Sequence, residues 1–153
     1  MPADSDGYLV MAQKSITETI GYLIVQICKA HRNKAQDLLA KIELHPGQAM
    51  LLLHLWPGDG LTRSELADDL CIKPATLTNM LDRVVKAGLA ERRVDAEDQR
   101  VSRVYLTDEG WSLRQPVVNV WHELEAQSLA ELTLEEQALL RRLLLQVYEN
   151  VSR

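Results

Sequence analysis

The chain has 153 residues, close to the ~100–200 of a single domain, so architectures with several independent units fit poorly. Hydrophobic residues make up 46% and charged residues 25%, the composition of a packed globular chain and not of a disordered one. The net charge of −5 argues on its own against a nucleic-acid partner, yet residues 73–103 carry seven basic against five acidic side chains, a local excess of +2 that leaves −7 elsewhere.

Phenylalanine is absent while leucine and alanine recur, which favours helix over sheet. The longest apolar runs, such as Ala49 to Leu53, fall far short of the ~20 residues of a membrane span. The start Met1-Pro2-Ala3-Asp4 lacks the basic-then-apolar order of a signal peptide, so a cytoplasmic protein without a membrane partner is expected. Cys28 and Cys71 have no C-x-x-C spacing and read as small buried side chains. No histidine pair or His/Cys cluster has metal-ligand spacing, and no G-x-S-x-G, H-E-x-x-H, P-loop or dinucleotide glycine pattern occurs. The chain is therefore expected to be no enzyme, with no catalytic residue, metal or cofactor.

In chain order, Ile16, Ile20, Leu23, Ile24, Ile27, Ala35, Leu38, Leu39 and Ile42 recur in steps of three and four and predict one long amphipathic helix or two in succession. His45-Pro46 interrupts the pattern, and Gln48 to Trp56 reads as a short, heavily buried helix ended by Pro57-Gly58-Asp59-Gly60. Thr62-Arg63-Ser64-Glu65 has the form of a capping box and opens a helix to about Leu70. Cys71-Ile72-Lys73 is a tight connector. Pro74 then starts a helix that runs through Lys86 and stops at Gly88, completing a helix-turn-helix. Leu89 to Val94 and Val101 to Leu106 predict a hairpin with Val104 and Leu106 inward and Arg103 and Tyr105 pointing away. Thr107 caps the next helix, with Leu113, Val117, Val120, Trp121 and Leu124 as its stripe and a kink expected at Pro116 unless its first turn begins later. Thr133-Leu134-Glu135-Glu136 opens a last helix with a broad apolar face from Leu140 to Val151.

Helix, tight turn, helix and basic-tipped hairpin make a winged helix-turn-helix, in which the second helix enters a DNA major groove. Leu77, Met80, Leu81, Val84 and Val85 form its buried side, leaving Thr76, Asn79, Arg83 and Lys86 in a stripe with Thr78 beside it. Asn pairs with adenine and Arg with guanine, while Thr and Lys reach bases or phosphates. Arg63 at the preceding helix start suits a phosphate. On the wing, Arg92, Gln99, Arg100 and Arg103 suit a narrow minor groove, with Asp95 and Asp98 as supports of the arginines or the turn. The competing expectation is a winged-helix protein-interaction module that touches no DNA. Steep weakening of binding with salt separates the two.

Leu44 to Trp56 and Leu61 to Gly110 resemble the MarR-type winged-helix transcriptional regulators, through Lys86-Ala87-Gly88-Leu89 with Arg92-Arg93, the run Asp95, Asp98, Arg100, and Leu106-Thr107-Asp108-Glu109-Gly110. The resemblance implies a mainly α fold with a small β-hairpin wing, in which residues 1–153 form a single domain. Residues 45–107 would be the DNA-binding lobe, and 8–44 with 108–152 the helical dimerisation region. It further implies a homodimer on a pseudo-palindromic operator in double-stranded DNA, a repressor released by an effector. Family effectors are small phenols or aromatic acids, for which His31, His45, His54 and Trp111 are the pocket candidates. Thr76 to Leu81 looks closest to the organic-hydroperoxide-sensing branch, whose reactive cysteine falls at Gly21 here; Cys28, two turns on beside Lys29 and Arg32, is the redox candidate.

Overall fold

Thr19 opens the first long helix, α1 (Ile20–Ala40), by accepting the Tyr22 amide on its hydroxyl at 3.2 Å, just after a 3-10 turn at Ile16–Glu18. The computed structural model describes residues 15–153, so residues 8–14 of the expected dimerisation region lie outside the described residues. The apolar stripe of α1 is divided. Ala35, Leu38 and Leu39 are buried, whereas Ile20, Leu23 and Ile27 stand in solvent. Glu43, at φ 58, reverses the chain, and the Leu44 amide donates to the Leu39 carbonyl at 3.1 Å.

Helix α2 (Pro46–Leu55) starts two residues before the expected Gln48, because proline suits the first turn, where no amide bond is lost. The His45 amide donates to Gln48 Oε1 at 2.9 Å. Ala49, Leu51, Leu52 and Leu55 are fully buried, so α2 is the centre of the core, as expected of a helix apolar on all sides. Trp56 Nε1 follows it and donates to the Gly110 carbonyl at 3.1 Å.

The helix-turn-helix consists of α3 (Arg63–Asp69) and α4 (Pro74–Lys86). Its first member is capped reciprocally: the Thr62 amide donates to Glu65 Oε2 at 2.7 Å and the Glu65 amide to Thr62 Oγ1 at 3.2 Å. Cys71, at φ 51, takes the left-handed position of the turn, with the Ile72 amide on the Ala67 carbonyl at 3.1 Å. Gly88, at φ 73, ends α4 in the same manner, with the Leu89 amide on the Val84 carbonyl at 3.1 Å.

The hairpin pairs β2 (Ala90–Val94) with β3 (Ser102–Leu106), Ala90 opposite Leu106 and Val94 opposite Ser102. A third strand that the sequence pattern does not reveal, β1 (Leu61–Thr62), pairs antiparallel on the other side of β3, Leu61 opposite Val104. Val104 and Leu106 are buried in the same core cluster as Leu66, Leu77, Leu81 and Val84. Thr107 then caps α5 (Asp108–Ser112), accepting the Gly110 amide at 3.1 Å and donating to the Gly88 carbonyl at 2.6 Å. The chain resets at Leu113 before α6 (Arg114–Ser128), so Pro116 falls in a first turn whose amides have no helical partner to lose. Val117, Val120 and Leu124 pack α6 into the core. A second capping box, at Thr133 and Glu136, begins α7 (Leu134–Val151), and no residue of α7 is buried. Among the described residues no helix is long and apolar enough to cross a membrane.

Candidate nucleic-acid interface

Helix α4 is strongly two-faced. Leu77, Leu81 and Val84 are buried, Met80 and Val85 half-buried, and Thr76, Asn79, Arg83 and Lys86 exposed along one stripe. Thr78, half-buried beside it, donates to the Pro74 carbonyl at 2.9 Å and accepts from Arg63 Nη2. Arg63 and Thr78 thus tie the start of α3 to the first turn of α4. Between these helices and the wing lies a cleft of about 400 Å³ lined by Thr62, Arg63, Ser64, Arg100 and Ser102 among others.

The wing tip is braced by its two aspartates. Asp95 Oδ1 accepts the amides of Glu97 and Asp98 at 2.8 and 3.1 Å, and Asp98 Oδ1 accepts the Arg100 amide at 2.9 Å. Arg103 lies on the face of β3 away from Val104 and Leu106, as the alternation predicts, but it is held by the protein and not free for DNA. It is half-buried, with Nε on Asp95 Oδ2, Nη1 on the Gly60 carbonyl at 3.0 Å, and Nη1 3.9 Å from Glu65. The cause is β1, which places Thr62 opposite Arg103 and brings Glu65 to it. Hydrogen bonds from Arg103 and from the Glu97 and Asp98 amides hold the Asp95 carboxyl down at about 2, and Asp95 in turn raises the Arg103 pKa. The Glu65 carboxyl is lowered chiefly by the Thr62 backbone amide.

Not all of the positive charge is equally available. Arg92 pairs with Asp82 of α4, and Arg93 pairs with Glu91 while its guanidinium lies 4.6 Å from the centre of the Tyr105 ring. Arg83, Lys86 and Arg100 take part in no ion pair among the described residues, and Gln99 is exposed at the wing tip. Thr76, Asn79, Arg83 and Lys86 with Arg100 therefore form the accessible polar set, while Arg63, Arg92 and Arg103 are engaged within the protein.

The four effector candidates are not gathered into one place. His31 lies with its ring centre 6.2 Å from that of Trp121 and lines a cleft of about 460 Å³ with Ile27, Ala30, Lys34, Gln127 and Ser128. His45 lines a separate cleft beside α4, His54 is half-buried in α2, and Trp111 is exposed on α5. Both Cys28 and Cys71 are exposed free thiols, against the expectation of burial: Cys28 lies on the outer face of α1 and Cys71 at the tip of a turn. Among the described residues no group of three or more His, Cys, Asp or Glu could hold a metal ion.

The fold and this site define a winged helix-turn-helix protein, mostly helical with a small antiparallel sheet. Residues 44–102 match the model of the MarR family. The chain is 28% identical over 122 residues to the HTH-type transcriptional regulator YsmB of Bacillus subtilis, covering 80% of this chain and 84% of that one. The S. aureus MepR–DNA complex superposes with a TM-score of 0.76 at 26% identity, over 90% of this chain and 99% of that chain. A mutant MarR from E. coli complexed with operator DNA gives 0.79 at 25% identity, over 88% and 99%. The match to the MarR family model thus spans the helix-turn-helix and most of the wing, and the neighbours in sequence and structure are transcriptional regulators, which are not enzymes.

Proposed function

We propose that the protein is a cytoplasmic, homodimeric, sequence-specific DNA-binding transcriptional regulator, with residues 45–107 as the DNA-binding lobe and 8–44 with 108–152 as the dimerisation region. The observation that carries it is the exposed Thr76, Asn79, Arg83, Lys86 stripe of α4 on the same lobe as a braced wing whose Arg100 has no ion-pair partner among the described residues. Asn79 and Arg83 suit base edges in the major groove, and Arg100 suits the minor groove. The solved DNA complexes of MepR and MarR support this reading.

Dimerisation is supported by apolar surface that a lone chain leaves in water: Ile16, Ile20 and Leu23 near the start, Leu143, Leu144, Tyr148 and Val151 at the end. The dimer fixes the distance between two copies of α4. An effector acts by shifting that distance until both helices no longer fit adjacent grooves, which makes the protein a repressor released by its ligand. The cleft beside His31, with Lys34 as its cation and Ile27 and Ala30 as apolar wall, suits a small aromatic acid. Cys28, exposed on α1, is the residue through which an oxidant would act instead.

Footprinting on DNA flanking the protein's own coding region tests the proposal. Two protected half-sites about 10 base pairs apart, with affinity falling steeply as salt rises, are expected. Salt-insensitive binding, or no protected region, would overturn it.

A further inference from the structure

We infer that the cleft between the start of α3 and the wing is a ligand site for the phosphate group of a small organic phosphate monoester, and that its occupant competes with DNA. The site stands on the cleft alone, and the competition rests on the DNA-binding reading above. At about 400 Å³ the cleft falls in the size range of small-molecule sites. Its polar lining comes from Thr62, Arg63 and Ser64 at the start of α3, Arg100 at the end of the wing turn and Ser102 on β3, and no carboxylate lines it. Ala67 and Leu77, both buried, belong to its apolar wall.

Ser102 stands two positions before Val104 and therefore on the inward face of β3, where Val104 and Leu106 are core residues. Its hydroxyl meets the cleft instead of the core, and neither it nor the Ser64 hydroxyl has a hydrogen-bond partner among the described residues. Arg63 gives one N–H to Thr78 Oγ1, which leaves the rest of its guanidinium for the cleft. Arg100 is exposed and in no ion pair among the described residues. The acids beside them in the chain are occupied, Glu65 by the Thr62 amide and Asp98 by the Arg100 amide. The cleft thus offers a guanidinium from α3, another from the wing, and free hydroxyls. A dianionic phosphate spreads its accepting oxygens around one atom and takes donors from both sides at once, whereas a carboxylate holds two oxygens in one plane and suits a single guanidinium. The organic part of the ester lies against Ala67 and Leu77. Arg100 drawn to the phosphate is no longer available to the minor groove, so ligand and DNA exclude each other.

The test uses the full chain with phenyl phosphate as the probe at pH 8, where the ester is a dianion, first without DNA. Calorimetric titration should show one saturable site per chain. Arg100→Gln should weaken it about tenfold or more and Ser102→Ala about three- to tenfold. Benzoate, titrated alongside, should bind at least about tenfold more weakly, because it engages only one of the guanidiniums. On the footprinted duplex, phenyl phosphate should displace the protein competitively, and Ser102→Ala should require about three- to tenfold more of it. No saturable binding, undiminished binding in both variants, or benzoate binding as tightly as phenyl phosphate would overturn the site while leaving DNA binding intact. A loss of duplex affinity in Ser102→Ala equal to its loss of phenyl phosphate would put a backbone phosphate of DNA in the cleft and overturn the free ligand. Saturable binding with the stated losses, but no protected duplex, would sustain the site and sink the DNA-binding reading.

Discussion

Asp95 and Arg103 face each other across the base of the wing, and the same guanidinium reaches back to the Gly60 carbonyl at 3.0 Å. The pair joins three pieces of chain: the wing turn, β3, and the loop before β1. Because Asp95 also accepts the Glu97 and Asp98 amides, one carboxylate organises the tip and fastens it to the lobe. Arg100 sits on that tip, its amide donating to Asp98 Oδ1.

That latch has a pH signature. The Asp95 carboxyl is depressed from 3.8 to about 2 in the folded protein. Its contribution is thus fully present above the unfolded value and is lost as pH falls through the folded one. Asp95→Asn preserves an oxygen for the two turn amides but sets an NH2 group against Arg103. The melting temperature of Asp95→Asn should lie below that of the parent by a constant margin above pH 5, and the margin should close between about pH 4 and pH 2. A margin unchanged at pH 2 would mean that the charge on Asp95 does not hold the wing.

The two accessible arginines should fail in different ways. Arg83→Ala removes a proposed base contact and should cost about 1–3 kcal/mol, with sequence preference relaxed at one operator position. Arg100→Ala should weaken binding by a similar amount across sequences and reduce the salt slope by about 1. Titrations against matched and single-mismatch duplexes at several salt concentrations distinguish the two, and unchanged affinity in both variants would count against the interface.

Much of this architecture was legible in the residues because it rests on local rules. The Thr62/Glu65 and Thr133/Glu136 capping boxes, the Gly88 stop and the inward Val104 and Leu106 depend on spacing within a few positions, and each lies where that spacing puts it. The features that local spacing does not encode are non-local or very short. Strand β1 has two residues, too few to show alternation, and without it Arg103 reads as a side chain free for DNA. His45 and Gln48 are far from Arg83 and Lys86 in sequence, and only the packing of α2 beside α4 brings them to one cleft. The exposure of both cysteines follows from their positions on the outer face of α1 and at a turn tip, which a count of cysteines cannot convey.

The last helix gives a prediction about assembly. Nothing on α7 is buried in the single chain, yet Leu139, Leu143, Leu144, Leu145, Val147, Tyr148 and Val151 are all exposed. Such a helix is stable only when its apolar face is covered. Deletion from Thr133 onward should abolish the dimer, read by sedimentation, and should reduce DNA binding because two half-sites are no longer engaged together. A soluble truncated chain that still protects both half-sites would contradict this arrangement.

Gly110 gives the sharpest test of the packing beneath the wing. A Cβ placed there would lie 2.0 Å from the Leu89 carbonyl oxygen and 3.1 Å from a Leu106 methyl group, and the first of these is backbone that cannot rotate away. The same residue receives the Trp56 Nε1 hydrogen bond at its carbonyl, and its amide is held by Thr107. Relief of the clash must therefore move α5 away from the turn after α4 and disturb both bonds. Gly110→Ala should destabilise the protein by about 1–3 kcal/mol or more, the range of overpacked cores. Gly58→Ala, at a position where an added methyl meets nothing within 4 Å, should leave stability nearly unchanged. Denaturant titrations of the two variants under identical conditions check the contrast, and equal midpoints would show that α5 is not seated against Leu89 as described.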